Sequence, residues 1–303
     1  MLRPYPQAMA TTAAAPNSIA LFQSKLRDYC VLTKPEVNLL ILMATSVGYY
    51  LASSGPFQVG RFLCTLLGTL LVASGTATLN QLMEWRYDAA MRRTAKRPLA
   101  CGRLSKSEAL AFGFLLSVTG GLYLALFVNR LAAILAISTL LSYLLIYTPL
   151  KRLTPLCTLL GAIPGAMPTL IGWAGGSGRV DRQAWLLFAL LFLWQFPHFL
   201  AIALMYREDY ARAGFHMLPA FDLEGKFTKA EIVAFTILLV LATVFVGSPA
   251  PFYSFAMLAI GSFFLYYTLK LAASDSKALP SKVVHASVIY LPVVFAILAF
   301  WKR

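Results

Sequence analysis

Asn80, Glu84 and Asp88 are spaced four residues apart at the end of an apolar run, and Arg92, Arg93, Lys96 and Arg97 follow at once. On a helix each step of four advances about 40°, so the three oxygen-bearing side chains share one face over roughly 12 Å of axis. Two carboxylates and an amide carbonyl suit Mg2+, which keeps several waters and reaches protein through one or two carboxylates plus the phosphates of a substrate. Basic side chains beside such a ladder can hold phosphate oxygens through charge-assisted hydrogen bonds. The pattern points to a metal-bridged diphosphate; its plain alternative is a helix end carrying a solvated charge run.

A second mixed stretch, YREDYARAGFHMLP at residues 206–219, places Glu208 and Asp209 at the end of another apolar run. Two such helix-plus-loop units facing one another would oppose two acidic clusters, enough for two metals on one diphosphate. Between them, residues 147–173 carry prolines at 149, 155, 164 and 168 and glycines at 161, 165 and 172. So many breakers are tolerated at membrane depth only where the freed backbone is covered by protein or lines a polar cavity. Lys151 and Arg152 end the run before this segment, and position alone leaves two readings, a topological anchor or a further clamp on diphosphate. His198 follows Pro197 inside an apolar run. Intramembrane ionisable groups are functional candidates, so it is read either as an acid/base or ligand residue or as a hydrogen-bonded structural histidine.

The elements that must position these residues are transmembrane helices. The 303 residues are 59% hydrophobic and 13% charged, with mean hydropathy +0.71, which is too apolar for a soluble domain of this length. Stretches long enough to span a bilayer occur near 37–53, 62–83, 109–128, 131–150, 156–176, 184–205, 232–248, 252–272 and 284–301. The expected fold is therefore an all-α membrane protein of nine transmembrane helices around a central cavity. With the N-terminus inside and the C-terminus outside, 20 of the 26 Lys and Arg residues fall on the inner side, and Asp181 alone of the 12 acids falls outside. The net charge of +14 then reflects topology and attraction to anionic lipid or substrate, with no nucleic acid required. Residues 1–30 lack a secretory signal pattern and read as a disordered cytoplasmic tail ahead of a membrane domain over 31–303.

With these motifs in place the chain resembles the UbiA-type intramembrane prenyltransferases, and within them the haem-farnesylating branch. The resemblance rests on LTKPEV (residues 32–37), N-x-x-x-E-x-x-x-D followed by M-x-R-T-x-x-R-P-L (80–99), YTPLKR, GAIPGAMPTLIGW and WQFPHFLAIALMYREDYARAGFHMLP. One departure is Glu84, where the superfamily more often has Asp; the longer stem keeps an oxygen ligand but leaves open which carboxylate touches metal. The second cluster is sparser than a D-x-x-x-D pair, since Glu208 and Asp209 are adjacent.

The resemblance implies transfer of a farnesyl group from farnesyl diphosphate to a vinyl group of protohaem IX, with addition of water. It implies Mg2+ on Asn80, Glu84 and Asp88, with Glu208 and Asp209 for a second ion, and diphosphate on Arg93, Arg97, Lys151 and Arg152. Asn80, Glu84, Asp88 and His198 are the implied catalytic residues, His198 for contact with haem or proton transfer. A bacterial inner membrane, acidic and basic loops on the cytoplasmic side, and a downstream haem A synthase or oxidase assembly factor complete the expectation. The competing readings are a related prenyltransferase acting on an aromatic or quinone-precursor acceptor, and a multispan transporter built on opposed repeats.

Overall fold

The computed structural model describes residues 18–246 and 250–302, and these form helices joined by short loops. Most of the expected tail lies outside the described residues. Its remainder is not a tail in structure, because helix α1 begins at Ser18 and runs to Thr33. After Lys34 the chain continues as α2, Pro35–Ala52. There follow α3 (Val59–Ala90), α4 (Lys106–Phe127), α5 (Arg130–Leu150), α6 (Cys157–Ser177) and α7 (Arg182–Met205). A short α8 (Arg207–Arg212) precedes α9 (Lys226–Val246), α10 (Pro251–Ala272) and α11 (Leu279–Phe300).

Among the described residues eight helices are long and apolar enough to cross a bilayer, and the pair Phe22–Thr33 and Pro35–Ala52, bent by 47°, makes nine when counted as one broken span. The bend has a local cause. Pro35 cannot donate into the preceding turn, and Lys34 takes φ 51°, the left-handed region.

Successive spans pack as neighbours, and α11 returns against α2 and α7 to close the bundle. The seam between α2 and α6 is close: a Cβ added at Gly172 would lie 2.0 Å from the carbonyl oxygen of Thr45. Small residues permit such backbone approach in a membrane, where lipid is as apolar as leucine and close packing replaces the hydrophobic drive. The main core, including Trp173, Trp194, Phe264 and Tyr290, fills the space between α2, α6, α7 and α9 to α11.

Two irregularities shape the centre. The turn Ser142–Tyr147 of α5 is π-helical, and Pro149 just beyond it has no N–H with which to continue the α ladder. Helix α6 carries Pro164 and Pro168 internally. The widened turn and the proline-bearing face line one cavity of about 260 Å3, with Tyr143 and Tyr147 on one wall and Gly161, Pro164 and Pro168 on another. At 32 residues α3 is about 48 Å long, against a hydrocarbon thickness of about 30 Å. Its last turns therefore rise past the apolar zone and carry the Asn80 to Asp88 ladder into the charged face.

Candidate active site

All three ladder residues are buried: Asn80 at 1% exposure, Glu84 at 6% and Asp88 at 2%. Each meets a cation from a different segment. Lys34, at the α1–α2 break, places Nζ 3.2 Å from Asn80 Oδ1. Lys151, after α5, places Nζ 2.9 Å from Glu84 Oε1. Arg97 donates Nη1 to both oxygens of Asp88 at 2.8 Å. The amide of Asn80 is oriented from its other side, donating Nδ2 to Thr148 Oγ1 at 3.0 Å. Helix α3 ends where it does because the Thr94 hydroxyl and the Met91 N–H both cap the carbonyl of Asp88, which turns the chain back and brings Arg97 onto the carboxylate.

Burial works against the Lys151 ammonium, but Tyr147 and Glu84 beside it hold its pKa well above the ordinary lysine value. Its Nζ also lies 4.5 Å from the centre of the Tyr147 ring, a favourable face contact for a cation. Arg152 is exposed and donates to the Tyr87 hydroxyl. It lines a smaller cleft of about 120 Å3 together with Glu84, Thr148 and Phe215.

The second loop meets the first directly. Asp209, 7% exposed, accepts from the backbone N–H of Arg92 and Arg93 at 3.3 and 3.4 Å and is paired with Arg212. Burial opposes its charge, and these donors outweigh burial and hold the carboxyl below the usual aspartate range. The carboxylate thus fastens one loop to the other. Glu208 is exposed, so the structure does not bring it to the ladder. Arg93 is also turned away from it: the guanidinium donates to the Tyr210 hydroxyl at 2.8 Å and lies over the rings of Tyr206 and Tyr210.

His198 lies in the seam between α7 and α11. It is not among the residues lining the cavity. Its ring stacks on Trp194, centroids 4.6 Å apart, and its Nδ1 lies 2.7 Å from Ser287 Oγ on α11. The Trp194 indole N–H donates to the carbonyl of the same Ser287 at 2.9 Å. Trp194 itself lines the cavity, so His198 packs against a residue of the cavity wall. Lys34, which the four-residue spacing does not single out, both lines the cavity and reaches the ladder. The available signal is a lysine immediately before proline in a membrane-edge segment.

The UbiA prenyltransferase family signature matches residues 41–298. A protein of Solibacter usitatus named protoheme IX farnesyltransferase is 45% identical over 285 residues, which cover 90% of this chain and 98% of that one. The chain belongs to the UbiA prenyltransferase family. A second relative with the same name, from Koribacter versatilis, is 42% identical over 288 residues, covering 91% of this chain and 93% of its own. Among solved structures, a digeranylgeranylglyceryl phosphate synthase superposes with TM-score 0.74 at 19% identity, covering 92% of this chain and 99% of that one. A UbiA homologue of Archaeoglobus fulgidus, solved bound to GPP and Mg2+, gives TM-score 0.64 at 16% identity, covering 89% and 99%. Both share the fold. Family membership makes this chain a multi-pass membrane prenyltransferase, and the transporter reading is set aside.

The donor set of this UbiA protein fits a divalent cation of the Mg2+ class. Glu84 and Asp88 supply two carboxylates and Asn80 an amide oxygen, all on one buried face. Among the described residues no three His, Cys, Asp or Glu side chains gather into an all-protein cage. Mg2+ asks for no such cage, because substrate phosphates and water complete its shell.

Proposed function

We propose that this chain transfers a farnesyl group from farnesyl diphosphate to a vinyl group of protohaem IX, adds water and releases diphosphate, as a protohaem IX farnesyltransferase. The observation that carries the reading is the threefold pairing along α3, Asn80 with Lys34, Glu84 with Lys151 and Asp88 with Arg97, joined through Lys34 to an apolar cavity. Cations and oxygens are interleaved, so a diphosphate can take the former while a metal ion takes the latter. The names of the relatives at 45% and 42% identity support haem over an aromatic or quinone-precursor acceptor.

Lys34, Lys151 and Arg97 would bind the phosphate oxygens, with Arg152 reaching from the adjoining cleft. Mg2+ held by Glu84 and Asp88, with Asn80, would neutralise charge that builds on the departing diphosphate. Asp209 would act from behind this site by holding the Arg92 to Arg97 loop in place, and one ladder-bound metal is favoured over two because Glu208 is exposed and Asp209 is taken up by Arg92, Arg93 and Arg212. The cavity wall of Tyr143, Tyr147, Val72, Ile171 and Trp194 would accept the farnesyl chain through close packing. That same wall would keep bulk water from the allylic cation until the new carbon–carbon bond forms.

The basic-residue distribution supports an inner-membrane protein with the site at the cytoplasmic face and the N-terminus inside. A haem A synthase or an oxidase assembly factor would then take up the product. The test is diphosphate release by purified protein with haem, or with a phenolic acceptor, in the presence and absence of Mg2+. Metal-dependent release requiring haem supports the reading, and release with the phenol alone overturns it.

A further inference from the structure

Gln195 is buried at 2% exposure on α7 and lines the central cavity. Both hydrogens of its amide nitrogen are committed: Nε2 donates to the carbonyls of Ala162 at 2.9 Å and Leu191 at 3.2 Å. Those bonds fix which end of the amide is oxygen. The oxygen, Oε1, accepts no hydrogen bond from any described residue. It lies against Gly165, where a Cβ would sit 1.8 Å from it, so the absence of a side chain on α6 is what leaves the amide room. An acceptor that faces a cavity and has no protein donor is open to a ligand or a water.

Several of the neutral polar groups of this wall are already spent as donors, and besides Gln195 the hydroxyls of Tyr143 and Tyr147 are the ones that face it. Thr69, Thr76 and Thr139 donate to carbonyls of their own helices, and Asn38 Nδ2 donates to Thr33 and Ser74. Gln195 stands ten residues before the end of α7 at Met205, as Asn80 stands ten before the end of α3 at Ala90. Both therefore lie about 15 Å in from the charged ends of their helices.

We propose that Gln195 Oε1 holds the water that terminates the reaction. This rests on the farnesyl-transfer reading above. The C1–oxygen bond of farnesyl diphosphate breaks, its electron pair leaving with diphosphate, and the vinyl π pair forms the new bond to C1. The positive charge then sits on the vinyl carbon next to the porphyrin ring. A water that donates one O–H to Oε1 keeps a lone pair directed at that carbon and forms the carbon–oxygen bond. Its proton passes to the released diphosphate, the amide remaining neutral throughout. Without the oriented water the cation closes by losing a proton, and the adduct is lighter by one water.

The experiment compares wild type, Gln195→Met and Gly165→Ala, each confirmed as folded, with haem, farnesyl diphosphate and Mg2+ in heavy-oxygen water. Diphosphate and total adduct are quantified and the adduct is weighed by mass spectrometry. Wild type is expected to incorporate one labelled oxygen. In Gln195→Met the ratio of hydrated to anhydrous adduct falls about tenfold, the effect of losing one hydrogen bond worth somewhat over 1 kcal/mol. Gly165→Ala shifts the ratio in the same direction, because the new methyl displaces an amide that is still present. Adduct and diphosphate stay equal mole for mole. A wild-type ratio in both folded variants overturns the proposal, as does loss of all adduct in both. Absence of any adduct from wild type would instead overturn the farnesyl-transfer reading.

Discussion

Glu84 and Lys151, 67 positions apart in sequence, meet at 2.9 Å with 8% and 10% of their side chains exposed. A buried pair of this kind is weak evidence for stability when intact, because both charges lost their water, but removing one partner strands the other. Lys151→Met or Glu84→Gln alone should destabilise the protein by about 3–5 kcal/mol. The double variant should recover most of that loss in detergent thermal unfolding and still release no diphosphate. Recovery of turnover in the double variant would assign the pair to structure alone.

Asp88 and Arg97 divide the chemistry differently. Asp88→Asn removes charge from the side that would face the metal, and turnover should fall about 100-fold or more. Arg97→Ala removes a two-oxygen donor, and retention of labelled farnesyl diphosphate should weaken by about 10-fold or more, the worth of one charged hydrogen bond. Equal effects of both substitutions on substrate retention would contradict the division.

Asp209 provides a pH signature. Its carboxyl is held below the usual aspartate range despite burial, by the Arg92 and Arg93 N–H groups and Arg212. A depressed folded pKa contributes stability that is complete above the unfolded value of about 3.9 and is lost as pH falls through the lower folded value. Wild type should therefore exceed Asp209→Ala in stability by a constant margin above about pH 5, a margin that shrinks on further acidification. Hydrogen exchange in the Arg92 to Arg97 loop should follow the same course. A margin independent of pH would show that the clamp is not ionic.

The ladder was legible because it is local: four-residue spacing on one helix places Asn80, Glu84 and Asp88 together whatever surrounds them. Their partners were harder to read. Lys34 reaches Asn80 across 46 positions and only because its own backbone turns left-handed between two helices. Helix α1 was hidden by its polarity, since its amphipathic residues give no membrane-length apolar run. Glu208 and Asp209 look equivalent in sequence, but consecutive residues of a helix point about 100° apart, so one faces solvent and the other the neighbouring loop. The choice between the two readings of His198 was not legible for a related reason: α7 is apolar on every side, and no periodicity distinguishes its cavity wall from its seam with α11.

That seam supports a fourth expectation. Ser287 serves both Trp194 and His198, so His198→Ala and Ser287→Ala should produce the same modest fall in turnover, about tenfold or less, by loosening Trp194. The double variant should be no worse than either single one, because residues of one network are not additive. Additive losses would mean that the imidazole has a separate contact with substrate.

The most direct measurement is mass analysis of the pigment formed when purified protein is incubated with protohaem IX, farnesyl diphosphate and Mg2+, beside the Asp88→Asn variant. Wild type should yield a haem bearing one farnesyl group and one added water, with diphosphate released mole for mole, and the variant almost none. Unmodified haem alongside prenylation of an aromatic acceptor, or equal product from Asp88→Asn, would contradict the account.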